Sequence, residues 1–243
     1  MILGHKVHVL TKKEELDTVR IAGKVAVVLD VLFATSTMVT ALSRGATAVI
    51  PAMDESSARA EAHNRAAGSY VIAGELYADT IQGFAPPTPL ALSAHGLAGR
   101  TLIYSTTNGT VAIRACSGAA HLYCGALLNG RALADRIASA HADQTVLLVC
   151  SGSMNNFNLE DFYGAGYLVD LLAERLGECA DFSDAARAAR ALYRHAAPET
   201  SLLNCRVGKM MVERGLEDEV RFAAQLSVLD VVPKLSNGEV VPA

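Results

Sequence analysis

The chain has 243 residues, 51% of them hydrophobic and 19% charged, enough to bury a substantial core without disulfides; whole-chain disorder and fibrous repeats are excluded. The 21 Lys and Arg against 25 Asp and Glu leave a formal charge of -4, which offers no general attraction to nucleic acid or to acidic membranes. Five cysteines (Cys116, Cys124, Cys150, Cys179, Cys205), odd in number and without a C-x-x-C pair, indicate neither a disulfide framework nor a thiolate zinc site.

From the N-terminus, Met1 to Leu10 lacks a continuous apolar region and a small-residue cleavage site, so no export signal is read and a cytoplasmic location is expected. Strands are predicted near 5-10, 24-30, 47-51, 70-73, 101-104, 120-123 and 145-150. Val25 to Leu32 and Thr145 to Cys150 are too short to span a membrane. Between the strands, Thr35 to Arg44, Asp54 to Ala67, Val111 to Ser117 and Gly130 to Ala140 read as Ala-rich helices. Leu159 to Leu176, Ser183 to His195, Ser201 to Arg214 and Glu217 to Leu226 read as helices too, followed by a short extended tail. The alternation predicts a three-layer α/β/α fold with a largely parallel or mixed sheet and a helical C-terminal portion from about residue 159. No linker or repeat marks a boundary, so a single domain over 1-243 is expected.

Open α/β sheets place ligands where strands end and loops lead into helices. Asp30 ends an otherwise apolar strand, where a carboxylate is costly to bury unless a cation or hydrogen-bond donors compensate it. A helix cap is its structural alternative, although the helix is expected only from Thr35. Glu75 follows the strand SYVIA, and a solvated loop charge is its alternative. Glu160 and Asp161 follow Asn158, a plausible N-cap, and acids there also complement the helix dipole. The turn Ser105, Thr106, Thr107, Asn108 and Gly109 combines hydroxyls, a carboxamide and a glycine before a helix; it could cradle a phosphate or merely cap that helix.

Together, carboxylates in strand-end loops suit a hard cation such as Mg2+, which takes oxygen ligands, waters and substrate phosphate. That combination points to phosphoryl chemistry on a small-molecule phosphate ester. Several other routes are excluded by inspection. There is no P-loop, no second aspartate two positions after Asp30, no Cys followed six positions later by Arg, and no G-x-S-x-G elbow. Gly164-Ala165-Gly166 falls inside a helical stretch and reads as helix packing. The histidines show no metal-type clustering beyond His5 and His8, and Cys150 has no identifiable partner base.

The segments VVLDVLFATSTMVTALSRGA, AGE, GRTLIYSTTNGT and LEDFYGAG, with Gly208, Gly215, Asp218 and the ending DVVPKLSNGEV, resemble the 2-phosphosulfolactate phosphatase family over most of the chain. The resemblance implies a Mg2+-dependent acid phosphatase acting in coenzyme M biosynthesis. Its acidic positions fall on Asp30, Glu75, Glu160 and Asp161 as metal ligands, with Asp30 and Glu75 catalytic, and its substrate-binding turn on Ser105 to Gly109. This chain departs from the pattern in having Phe33, Leu76 and Val111 where the family has arginine, and Ala85-Pro86-Pro87-Thr88-Pro89 after Gly83-Phe84. The expected activity is hydrolysis of a small phosphate monoester, less anionic than phosphosulfolactate or held by other groups such as Arg114. The alternative is a non-catalytic or repurposed paralogue on the same fold. Oligomeric state, a homo-oligomer included, is left open by the sequence.

Overall fold

The computed structural model describes residues 5–177 and 180–243; Cys179 and the first four residues of the Met1 to Leu10 segment lie outside them. The first half alternates strand and helix, with β1 (His5–Leu10), β2 (Val25–Leu29), α1 (Ala34–Ser43), β3 (Ala48–Ala52), α2 (Glu55–His63) and β4 (Tyr70–Leu76). Then follow β5 (Asp79–Thr80), α3 (Pro89–Ser93), β6 (Thr101–Ser105), α4 (Gly109–Ala115), β7 (His121–Gly125), α5 (Gly130–Ala140) and β8 (Val146–Cys150). The helical remainder comprises α6 (Leu159–Leu176), the short β9 (Ala180–Phe182), α7 (Asp184–His195), α8 (Pro198–Asn204), α9 (Arg206–Glu213) and α10 (Glu217–Ala223). Last come β10 (Pro233–Ser236) and β11 (Glu239–Pro242).

All the strands belong to one mixed sheet of order β5-β4-β6-β3-β11-β10-β7-β2-β8-β1-β9. β4, β6 and β3 pair in parallel, as do β7, β2, β8, β1 and β9. The two-residue period of β2 divides its side chains between the faces. Ala26 and Val28 pack with α1, α3 and α4, while Val25, Val27 and Leu29 pack with α5, α6 and α7. With both faces covered, every residue of β2 is buried, which is why its sequence is continuously apolar rather than alternating. The three-layer mixed architecture is the one expected.

Several details differ from expectation, the short strands β5 and β9 among them. The tail is a hairpin, and it enters the middle of the sheet: Lys234 pairs with Tyr123 of β7 and Val240 with Val49 of β3. Its turn is Asn237-Gly238, both at positive φ (51° and 85°), the conformation that matches the right-handed twist of two strands. The single helix expected over Ser201 to Arg214 is two, because Cys205 adopts an extended backbone (φ -69°, ψ 165°) and caps α9 by accepting from the Gly208 N–H at 3.1 Å. Finally, Pro89 starts a short helix, α3, that was not anticipated. Gly166 packs α6 on α7 so closely that a Cβ there would lie 2.0 Å from the Ala189 carbonyl oxygen, so the Gly164-Ala165-Gly166 run is helix packing. Among the described residues no helix is long and apolar enough to cross a membrane.

Candidate active site

The chain leaves buried β2 at Asp30 and enters α1 at Ala34, one residue earlier than expected. Asp30 therefore does reach the helix start: its Oδ1 accepts from the Ala34 N–H at 3.2 Å. Thr35 locks the same turn, its hydroxyl donating to the Asp30 carbonyl at 2.9 Å and accepting from the Asp30 N–H at 3.0 Å. The other carboxylate oxygen, Oδ2, is directed at Gly109, where a Cβ would come within 2.7 Å of it and 2.3 Å of the Ala34 Cβ. Only glycine permits this approach. Burial pushes the Asp30 carboxyl up to about 6, and the charges of Glu75 and Glu160 push the same way against the opposing Ala34 N–H. Ser151, fully buried against the same carboxylate, has a hydroxyl with no hydrogen-bond partner of ordinary geometry.

Glu75 is not a solvated loop charge. Its Oε1 accepts from the Thr107 N–H at 2.6 Å, and its Oε2 from the Ala78 N–H at 2.6 Å and the Thr107 hydroxyl at 2.9 Å. It fastens the end of β4 to the turn that opens α4. Asp161 likewise is not a capping-box partner of Asn158: it reaches away from its helix to accept from the Val31 N–H at 2.9 Å and the Gly152 N–H at 3.0 Å. In doing so it ties together the loops that follow β2 and β8. Burial, then the Asp30 and Glu160 charges, hold its carboxyl well above the usual range. Glu160, also buried, is raised by burial and opposed by Arg206. Asn158 makes no cap bond; its Oδ1 accepts from the Ser153 hydroxyl at 2.9 Å and from Arg206 at 3.0 Å.

In the polar turn, Thr106 and Thr110 exchange hydrogen bonds, each hydroxyl accepting from the other's N–H at 3.1 and 3.2 Å, which caps α4 internally. Thr106, Thr107 and Asn108 line a cavity of about 410 Å³ with Asp30, Glu75 and Gly152. Ser105 and Gly109 do not line it. Ser105 opens on a neighbouring recess with Met53, Glu75 and Leu76, and Gly109 lies behind Asp30. Of the donors this turn could offer an anion, the Thr107 N–H and hydroxyl are taken by Glu75.

The four acids influence one another electrostatically, yet among the described residues no three His, Cys, Asp or Glu side chains converge as a metal cage. Asp161 and Glu75 have their oxygens committed to backbone donors. The carboxylates facing the cavity are Asp30 and Glu75; Asp30 has the Ser151 hydroxyl beside it, and Arg206 is on the same lining. This fits Mg2+, which takes one or two carboxylates and completes its shell with water and phosphate oxygens.

Arg114 does not serve the cavity: it is exposed on α4 and donates to the Pro51 carbonyl at 3.3 Å. Two cations that no sequence motif marks lie at the site. Arg206 opens α9 and lines the cavity, bonded to Ser153 and Asn158. Lys13 donates to the Ser151 carbonyl at 3.1 Å and the Asn108 Oδ1 at 3.3 Å. Neither belongs to a local motif, and only the fold brings them here. Cys150 is fully buried and its thiol is pushed far up by burial and by Asp161, which removes it as a nucleophile.

Fold and site together describe an α/β protein with an acidic cavity built from the loops after four strands. The family model for 2-phosphosulpholactate phosphatase matches residues 10–238, and the chain belongs to the 2-phosphosulfolactate phosphatase family. A Deinococcus radiodurans protein named probable 2-phosphosulfolactate phosphatase is 37% identical, covering 90% of both chains. Proteins of the same name from Symbiobacterium thermophilum and Carboxydothermus hydrogenoformans are each 35% identical, covering 91% and 97% of this chain and 95% and 96% of their own.

Proposed function

We propose that the chain is a Mg2+-dependent phosphatase that hydrolyses a small phosphate monoester in the cavity at Asp30. The carrying observation is a half-buried carboxylate on the cavity lining whose protonated form is favoured by burial and by the charges of Glu75 and Glu160. A cation joining it there would stabilise its anionic form. Family membership over nearly the whole chain supports the same activity.

Bound there, Mg2+ would supply Lewis-acid neutralisation of the phosphate charge. Asp30 is the residue that would hold it, with Glu75, Glu160 and Asp161 adding negative charge around it. Arg206 binds phosphate oxygens through paired, charge-assisted hydrogen bonds. Glu75 fixes the loop after β4 to the turn after β6, and Asp161 fixes the loop after β2 to that after β8, so that the reacting groups meet without reorganisation. In the net reaction water oxygen forms a new bond to phosphorus, the ester P–O bond breaks, and the proton passes to the departing alcohol oxygen.

Release of phosphate from a panel of monoesters, with Mg2+ and with chelator, tests this reading. The expected result is metal-dependent turnover that falls by at least about a hundredfold in Asp30→Asn, the scale on which removing one electrostatic or acid-base group acts. A folded chain with no turnover on any ester, and no stabilisation by Mg2+, would instead make it a paralogue that has lost catalysis.

A further inference from the structure

The acidic edge of the cavity is only one side of it. Much of the rest of its lining is apolar: Leu32 and Phe33 after β2, Pro86 and Pro87 before α3, and Met210 and Met211 on α9. At the rim, Tyr77 and Met154 are 65% and 74% exposed, each held out by a turn with positive φ (54° and 51°). A non-glycine residue in that backbone region is strained, so two such turns at one mouth carry large apolar side chains at a cost the fold sustains.

Charge is distributed just as unevenly. Among the described residues lining the cavity, Arg206 is the one cation, against Asp30 and Glu75. Arg206 and Met210 are four residues apart, on one face of α9, so the guanidinium meets the polar loops after β8 while the thioether stands one turn further along. Arg206 and the cation at Asp30 match one phosphate. A second anionic group on the same ligand would be placed against methionines, prolines and Phe33 with no further lining cation to balance it, Arg214 beyond Ala78 being paired with Asp79, a desolvation cost that a hydrocarbon does not carry. Methionine side chains adapt to apolar groups of varied shape.

Taking the phosphatase assignment of this cavity as its basis, we infer that the preferred substrates are monophosphates of an apolar alcohol, without a second acidic group. The phosphate lies at Asp30 and Arg206 and the hydrocarbon against Phe33 and Met210.

Two esters of equal length separate the possibilities: pentyl phosphate, and the analogue whose terminal methyl is a carboxylate. Their reacting ends are alike, so the comparison reads the far end of the cavity. The expected result is a kcat/KM at least about tenfold higher for pentyl phosphate, the scale of burying one or two methylenes rather than a charge. Met210→Arg, at a half-buried position that can take a cation without burying it, is expected to shrink or invert that ratio. Equal or faster turnover of the carboxylated ester by the unaltered chain overturns the inference and leaves the phosphatase assignment intact. If neither ester turns over, the assignment fails, and calorimetric binding of the corresponding phosphonates decides the inference separately. Tighter binding of pentylphosphonate supports it; equal, weaker or absent binding overturns it.

Discussion

At the scale of single residues, the site is built from acids with unequal tasks. Asp161 satisfies two buried backbone donors in two different loops, so Asp161→Ala leaves both unpaired and should destabilise the chain by about 2–5 kcal/mol in urea unfolding. Gly109→Ala places a methyl group against Ala34 and Asp30. It is expected to cost about 1–3 kcal/mol and to abolish turnover by displacing the carboxylate, which far-UV dichroism and a phosphate assay would distinguish from unfolding. Asp30 also sets a pH dependence. Its carboxyl titrates near 6 in the folded chain against an ordinary 3.8, so the folded state holds the proton more tightly. The metal-free chain should therefore lose stability as pH rises from about 4 to about 6, by on the order of 3 kcal/mol, and Asp30→Asn should flatten that slope. A slope of opposite sign in denaturant melts with chelator present would contradict it. Asp30 was legible as unusual, because a carboxylate ending an apolar strand is costly to bury; Glu75 read almost equally as a loop charge, and Glu160 and Asp161 as acids of a first helical turn. Their partners were not legible, since those lie up to 130 residues away in the chain.

Among the elements, seven strands and most helices follow directly from periodicity, while the short β5 and β9 and the pairing of the tail do not. The misread ones have local causes that composition conceals. Cys205 interrupts a run of helix-compatible residues without proline or glycine at the break, and its thiol supplies the cap that serine or aspartate would ordinarily provide. The Asn237-Gly238 pair, by contrast, was a readable hairpin signal between two short apolar runs. Packing between helices sets a further expectation. Gly208 lies so near the Leu202 carbonyl that a Cβ would approach to 1.8 Å. Gly208→Ala must therefore move the start of α9, and with it Arg206. The predicted outcome is a raised KM for phosphate esters with kcat reduced less, measured on chain that still unfolds cooperatively.

For the whole molecule, the C-terminal hairpin is the piece that joins β3 to β7 and so unites the two groups of parallel strands. Deleting residues 233–243 exposes the edges of both neighbours at the centre of the sheet. The truncated chain is expected to lose cooperative thermal unfolding and to aggregate, even though every acidic residue of the site is retained. The sequence by itself determined the layered α/β class, the buried strands, the helices that cover them and the positions of the acids. These are encoded by periodicity and by polarity at strand ends, both local properties of the chain. Only the tertiary structure decided which acids hold backbone and which line the cavity, that Arg206 rather than Arg114 supplies its cation, and that apolar side chains make up much of the same lining. Those outcomes depend on side chains far apart in the chain meeting across loops, and a hydrogen bond or a desolvated charge exists only once both partners have been brought together.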